Sequence, residues 1–285
     1  MTLFIGLDIG GTKFMVAAAD STGHILRKVR AEPSDNLETD LNTIHQMIEE
    51  VSGGKPIGGM GAAVGGPLDW RSGMVSPLHQ PAWRSVPLKE IMEERYDCPF
   101  SVDVDTNIAA LGEYAFTRIT SQRFLYITIS TGMGGGFLID GKIYRGANGI
   151  HPEIAHQMVE CRSMNPAGIQ CECGVTRCLE ALISGNGIRR IYRKPAEELE
   201  PEEWQEVAYN LGQGLRNMAV FYTPDLIRIG GGVALGGGDH FIQQAADVMH
   251  SHLRIVPPPV VELSRLGHVA PLQGALFVAR HGLNE

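Results

Sequence analysis

Leu3-Phe4-Ile5-Gly6-Leu7-Asp8-Ile9-Gly10-Gly11-Thr12-Lys13, running on into Phe14 to Ala19, is a pair of apolar runs with a Gly-Gly turn between them. Such a pattern predicts a strand, a tight turn and a second strand. It returns further along. Phe124 to Ser130 is an apolar run, Thr131-Gly132-Met133-Gly134-Gly135-Gly136 a glycine loop, and Phe137 to Tyr144 a hairpin around Asp140-Gly141. A strand, glycine loop and hairpin occurring twice predict two similar halves.

Between the two copies, Ile25 to Ala31 reads as a third strand. Leu37, Leu41, Ile44, Ile48 and Val51 recur at helical spacing over 36–51, with Asp35 as the expected N-cap. Strands at Gly58 to Val64 and Phe100 to Val104 follow, with helices at Leu88 to Tyr96 and Asn107 to Phe116. After the second copy, Pro201 opens a long helix to Tyr222. Leu226 to Ile229 is a buried strand, Gly230-Gly231-Gly232 a loop, and Asp239 to Leu253 and Gln273 to Arg280 are helices. Strands alternating with helices make an α/β protein, with a border near Thr117 to Gln122 and two halves expected to pack around a shared cleft.

The chain is 285 residues, 44% hydrophobic and 20% charged, long enough for two domains with real cores. Net charge is -8, with no block of Lys or Arg, which argues against nucleic acid and anionic membrane surfaces as partners and for a small molecule. The absence of a signal-peptide pattern and of an 18-residue apolar run leads to the expectation of a cytoplasmic protein. Five cysteines, three of them at 171, 173 and 178, fit metal binding in a reducing compartment better than a disulfide framework.

Three constellations carry chemistry. In the first, Asp8 stands at a strand end before Gly10, Gly11, Thr12 and Lys13. Backbone N–H groups and a hydroxyl can approach phosphate oxygens there, while the carboxylate holds a metal ion or its water; the alternative is a plain hairpin turn. The loop with Thr131 and Gly132 offers the same chemistry, and Gly231 and Gly232 after a buried strand give a flat surface for a nucleotide. In the second, Asp103-Val104-Asp105-Thr106-Asn107 leads from a strand into a helix, where a carboxylate serves as an N-cap or as a general base at the carboxyl edge of a sheet. In the third, His156, Cys171, Cys173 and Cys178 make a Cys3His set that would fill a tetrahedral zinc site; if all four bind, no position is open and the zinc is structural, the alternative being a set of free buried thiols. Glu153 and Glu180 lie close in sequence to those ligands. Cys98 and Cys161 have no such company.

In this order the motifs resemble the ROK (repressor, open reading frame, kinase) sugar kinases over essentially the whole chain. Asp8 to Lys13 and Ser130 to Gly136 look like the family's two phosphate motifs, and Pro224 to Gly232 like its adenosine-side segment. Asp105 falls on the catalytic base, Glu153 and His156 on the Glu-x-Gly-His motif, and Cys171 to Glu180 on the zinc motif. The resemblance implies two actin-like (ribonuclease H-like) α/β domains around a central cleft. Residues 1–117 would form the smaller one, completed by a C-terminal helix over 273–285, and 118–272 the larger one with zinc. It implies transfer of the γ-phosphate of ATP, with Mg2+, to a hexose hydroxyl, and assembly as a dimer or tetramer. Asp105 would take the hydroxyl proton, and Gly65, Asn107, Glu153, His156 and Glu180 would line the sugar site.

Departures from the family pattern bear on which sugar is used. Val104 stands where the family's glucokinases carry a sugar-binding Asn, and His151-Pro152-Glu153 and Asp103-x-Asp105-x-Asn107 are more like its fructokinases. Cys171-x-Cys173-Gly174 and Pro81-Ala82-Trp83 are instead of glucokinase type, and Arg177 replaces a usual Gly. Fructose and N-acetylhexosamines are therefore alternatives to glucose, and a non-catalytic sugar sensor is a further one. The family's repressors carry a winged helix-turn-helix before this core, for which a first strand at Leu3 leaves no room.

Overall fold

β1 (Leu3–Ile9), β2 (Phe14–Ala19) and β3 (Ile25–Ala31) form an antiparallel meander, from which α1 (Leu37–Ser52) crosses to β4 (Ile57–Val64), parallel to β1. The computed structural model describes residues 1–163 and 169–283. α1 is capped by Asn36 and not by Asp35: the Asn36 side chain accepts from Thr39 N at 2.9 Å, since its backbone is extended at the point where the helix begins. A small sheet of β5 (Leu68–Asp69), β6 (Met74–Val75) and β7 (Val86–Pro87) follows β4. Then come α2 (Leu88–Tyr96), β8 (Phe100–Val104) and α3 (Asp105–Phe116). The strand order is β3-β2-β1-β4-β8.

The second sheet repeats this plan. β9 (Arg123–Ile129), β10 (Met133–Ile139) and β11 (Lys142–Ile143) are the meander. The cysteine segment and the helices α4 (Leu179–Ile183), α5 (Gly185–Tyr192) and α6 (Pro201–Tyr222) then lead to β12 (Leu226–Gly230), parallel to β9. α7 (Gly232–Ser251) connects to β13 (Val260–Leu263), giving the order β11-β10-β9-β12-β13. The chain closes with α8 (Ala270–His281), which returns to the first sheet and packs on β1, β4 and α3. Residues 284 and 285, at the end of the helix expected over 273–285, lie outside the described residues. Contacts divide the chain into Met1–Ile119 with Val269–Glu285, and Thr120–His268.

Two expected boundaries move, and one strand is new. The second glycine loop shortens to Ser130–Gly132, because Gly134, Gly135 and Gly136 are residues of β10; at Gly135 the side chain of Ile154 packs where a Cβ would stand. α7 begins at Gly232 and not at Asp239, and Gly238, at φ 68°, puts a kink inside it. β13 was not expected from its pattern, since an edge strand of four residues with one apolar contact face gives little periodicity.

Helices cover both faces of the first sheet, so β2 is apolar throughout and β1 is apolar but for Asp8 near its carboxyl end. Phe14, Val16 and Ala18 join the α1 side with Ile44 and Ile48, while Met15, Ala17 and Ala19 meet Leu272 and Leu276 of α8. α8 sits against α3 backbone to backbone: a Cβ on Gly274 would collide with the carbonyl of Ile108. Among the described residues no helix is long and apolar enough to cross a membrane.

Candidate functional site

In the first unit, the Gly10 N–H donates to the Lys13 carbonyl at 3.0 Å and closes the turn at the end of β1. Asp8, one residue before that end, is 7% exposed. Burial pushes its carboxyl up to about 6, a rise that Lys13 opposes and Asp105 adds to. Lys13 and Asp105 are therefore both close enough to act on the Asp8 charge. The reason is topological: β1, β4 and β8 are parallel neighbours, and all three deliver their carboxyl ends to one edge. Gly65 follows β4 at that edge, next to Pro77.

The two aspartates of β8–α3 have different surroundings. Asp103 is buried, and its Oδ1 accepts from Val104 N at 2.7 Å and from Asn107 Nδ2 at 3.1 Å, which ties the strand to the first turn of the helix. Asp105 is half-buried and accepts from Thr106 N at 2.8 Å as the first residue of α3. α3 thus starts two residues earlier than the expected Asn107, and neither aspartate occupies the N-cap position, which is Val104. Asn107 Oδ1 is buried with no hydrogen-bond partner.

In the second unit, the Ser130 N–H donates to the Gly132 carbonyl at 2.8 Å. Gly185 N and Asn186 N donate to the carbonyls of Ser130 and Thr131 at 2.7 and 3.0 Å, so the turn is stitched to the start of α5. Gly231, at φ 87°, lies against the backbone of Ile129, where any side chain would collide; Gly232 next to it opens α7 and meets nothing within 4 Å. That places the N-terminal amides of a long helix beside the glycine surface, a feature that the expected start at Asp239 concealed.

His156 ends a short 3-10 turn, Ile154–His156. Its Nδ1 lies 3.7 Å from Cys171 Sγ and 3.9 Å from Cys178 Sγ; Cys173 Sγ is 4.0 Å from Cys178 Sγ. All four donor atoms fall within 4.8 Å of one another. Ligands about 2.3 Å from a tetrahedral zinc ion stand roughly 3.8 Å apart, so the set fits the ion in both spacing and chemistry. Burial pushes the Cys171 and Cys178 thiols up. Cys98 and Cys161 stand apart from this cluster.

The other ring nitrogen of His156, Nε2, is 3.9 Å from Glu153 Oε2, and Glu153 Oε1 is 3.7 Å from His151 Nε2. Glu153 thus lies between two imidazoles, beyond hydrogen-bond distance of either. Glu153, His156, Met218 and Tyr222 are among the residues lining a cavity of about 260 Å³ that Glu180 does not reach. Glu180 sits instead against the second glycine turn, its Oε2 accepting from Met133 N at 3.0 Å and its Oε1 3.2 Å from Cys171 Sγ.

Comparison with known proteins gives this arrangement a relation. The model of the ROK family matches residues 4–281. The chain is 29% identical to a glucokinase of Streptomyces coelicolor over 98% of each chain, and 29% identical to a fructokinase of Zymomonas mobilis over 97% of this chain and 96% of that one. Among solved structures, a ROK family glucokinase from Streptomyces griseus in complex with glucose and AMPPNP superposes with a TM-score of 0.81 at 28% identity, covering 98% of this chain and 100% of the other.

Proposed function

The chain belongs to the ROK family, and from that premise we infer that it is an ATP-dependent sugar kinase, transferring the γ-phosphate to a hydroxyl of a hexose, with glucose as the first acceptor. The observation that carries the reading is that the parallel strands β1, β4 and β8 bring Asp8, the Gly10–Gly11 turn with Lys13, and Asp105 to one edge of the sheet. A phosphate cradle, a cation and a half-exposed carboxylate at one sheet edge are what phosphoryl transfer to an alcohol requires.

In this reading Asp105 accepts the hydroxyl proton as the sugar oxygen attacks phosphorus, while the amides of Gly10, Gly11 and Thr12 and the ammonium of Lys13 hold the phosphoryl oxygens. Thr131 and Gly132 hold phosphate on the second unit, and Gly231 and Gly232 offer backbone to the adenosine. Asp8 would hold magnesium or its water shell; a buried carboxyl whose ionised form lacks an adequate partner suits a cation. When bound, magnesium neutralises phosphate charge. His156, Cys171, Cys173 and Cys178 would hold zinc, which supplies rigidity and no catalysis because the four ligands complete its shell. Its consequence is that His156 would keep Nε2 free for sugar hydroxyls, with Glu153, Gly65, Asn107 and Glu180 as further sugar contacts.

Fructose is the second reading. Val104, apolar and packed next to Gly66, offers no hydrogen bond where a hexose-binding amide would stand, and His151 beside Glu153 adds a donor at that carboxylate. Phosphorylation assayed with ATP across glucose, fructose, mannose, N-acetylglucosamine and N-acetylmannosamine decides between them. Turnover of none of these would overturn the kinase reading in favour of a sugar-binding protein.

A further inference from the structure

Gln80 is a buried amide with an unused donor. Its side chain is 8% exposed, and Nε2 has no hydrogen-bond partner. The backbone is fixed: Gln80 N donates to the Pro77 carbonyl at 3.3 Å, and Trp83 N donates to the Gln80 carbonyl at 2.9 Å. Trp83 is itself fully buried, with Nε1 donating to Asp40 Oδ2 at 2.8 Å. The segment is further pinned by Leu78 N donating to Gly66 O at 3.0 Å.

The location is the phosphate-side edge of the first unit. A Cβ built on Gly11 would lie 3.6 Å from His79 Cβ and 3.9 Å from Gln80 Cγ, and Gly65 would meet Pro77 in the same way. Gly66 in turn would meet Val104, the residue before Asp105. The Pro77–Gln80 segment therefore lies on both the Gly10–Gly11 turn and the Gly65–Gly66 loop. A buried donor without an acceptor destabilises a fold, and such groups persist where a ligand completes them.

We propose that Gln80 is an oxyanion donor of the phosphoryl-transfer site, its side-chain N–H completing the cradle of Gly10 and Gly11 by donating to a terminal oxygen of the transferred phosphoryl group. The proposal rests on the kinase reading for the chemistry, and on the orphaned amide for the residue. Gln80 adds a neutral donor, so it stabilises oxygen charge without competing with Lys13 for the Asp8 carboxylate.

The test is Gln80→Leu in the full-length protein. Gln80→Met serves as a second variant whose flexible thioether fills the same volume. If the amide serves a ligand, removing it relieves an unpaired buried polar group, so the melting temperature stays at or above the wild-type value. Turnover falls about 10²-fold, the loss typical of one preorganised donor, and calorimetry shows weaker AMPPNP with ADP unchanged. Turnover and AMPPNP affinity both within twofold of wild type would overturn the proposal. So would a melting temperature several degrees lower in both variants, which would make Gln80 a packing residue. The AMPPNP and ADP titrations need no acceptor. Wild type that binds AMPPNP but phosphorylates no hexose would sink the sugar kinase reading and leave Gln80 to be judged by those titrations.

Discussion

Glu180 accepts the backbone N–H of Met133 at 3.0 Å, so a carboxylate two residues after Cys178 holds the turn that ends in Gly132. The cysteine segment and the second glycine turn are thereby one mechanical unit. Glu180→Gln keeps an acceptor for Met133 and loses only the charge, whereas Glu180→Ala loses both. A hydrogen bond to a charged group contributes about 1.5–3 kcal/mol, so the alanine variant is expected to lose roughly 10- to 100-fold in kcat/KM for sugar and to raise KM for ATP. The glutamine variant should leave KM for ATP near wild type. Equal KM values for ATP in the two variants would remove the link between Glu180 and the turn.

Asp105→Asn preserves the size of the side chain and its hydrogen bond to Thr106 N while abolishing the proton acceptor. Turnover should fall by about 10²- to 10⁴-fold, with sugar and AMPPNP affinities by calorimetry changed less than threefold. A variant retaining near-normal kcat would transfer the base role elsewhere.

The His156, Cys171, Cys173 and Cys178 cluster should yield one zinc per chain by elemental analysis of protein purified without chelator. Cys178→Ser, altering a fully buried member of the cluster, is expected to lose the metal and several degrees of melting temperature, because ligand binding energy is folding energy in metal sites of this kind. Cys98→Ser, away from the cluster, should keep the metal.

His45 is buried on α1 with its Nδ1 2.9 Å from the Tyr96 hydroxyl. Burial, and then Arg95, push its pKa down to about 4, with Glu49 opposing. The folded state thus binds the proton less well than the unfolded one. Stability is fully present above pH 6.5 and falls as pH drops from about 6.5 through 4. Solvent screening limits this loss to about 1–2 kcal/mol. Urea midpoints measured at pH 7 and pH 4.5 should diverge in wild type and converge in His45→Gln; an unchanged divergence would place the acid sensitivity in another group.

Gly274→Ala should cost about 1–3 kcal/mol or more, the range for forcing atoms into a filled core, since its methyl would meet the Ile108 carbonyl of α3. Gly236→Ala, in α7 with open space at the same position, should be neutral or slightly stabilising by thermal melts.

Much of this protein can be read from its residues alone. Strand, glycine turn and hairpin occur twice in sequence and produce two sheets of identical plan, because period and turn chemistry are local. Three cysteines and a histidine in a short interval are visible as a ligand set for the same reason. Tertiary structure decided the rest. That Gly134 to Gly136 belong to β10 depends on Ile154 filling the space beside Gly135, and no local pattern encodes that close approach. The different surroundings of Asp103 and Asp105 follow from which one Asn107 reaches. The Glu180–Met133 bond runs to a backbone N–H, which every residue but proline carries, so no side chain announces it. Gln80 reads as an ordinary turn residue until the packing of Trp83 and Gly11 shows that its amide is buried and unpaired. Sequence fixes what each residue can donate or accept; only the packed chain determines which of those groups are left for a ligand.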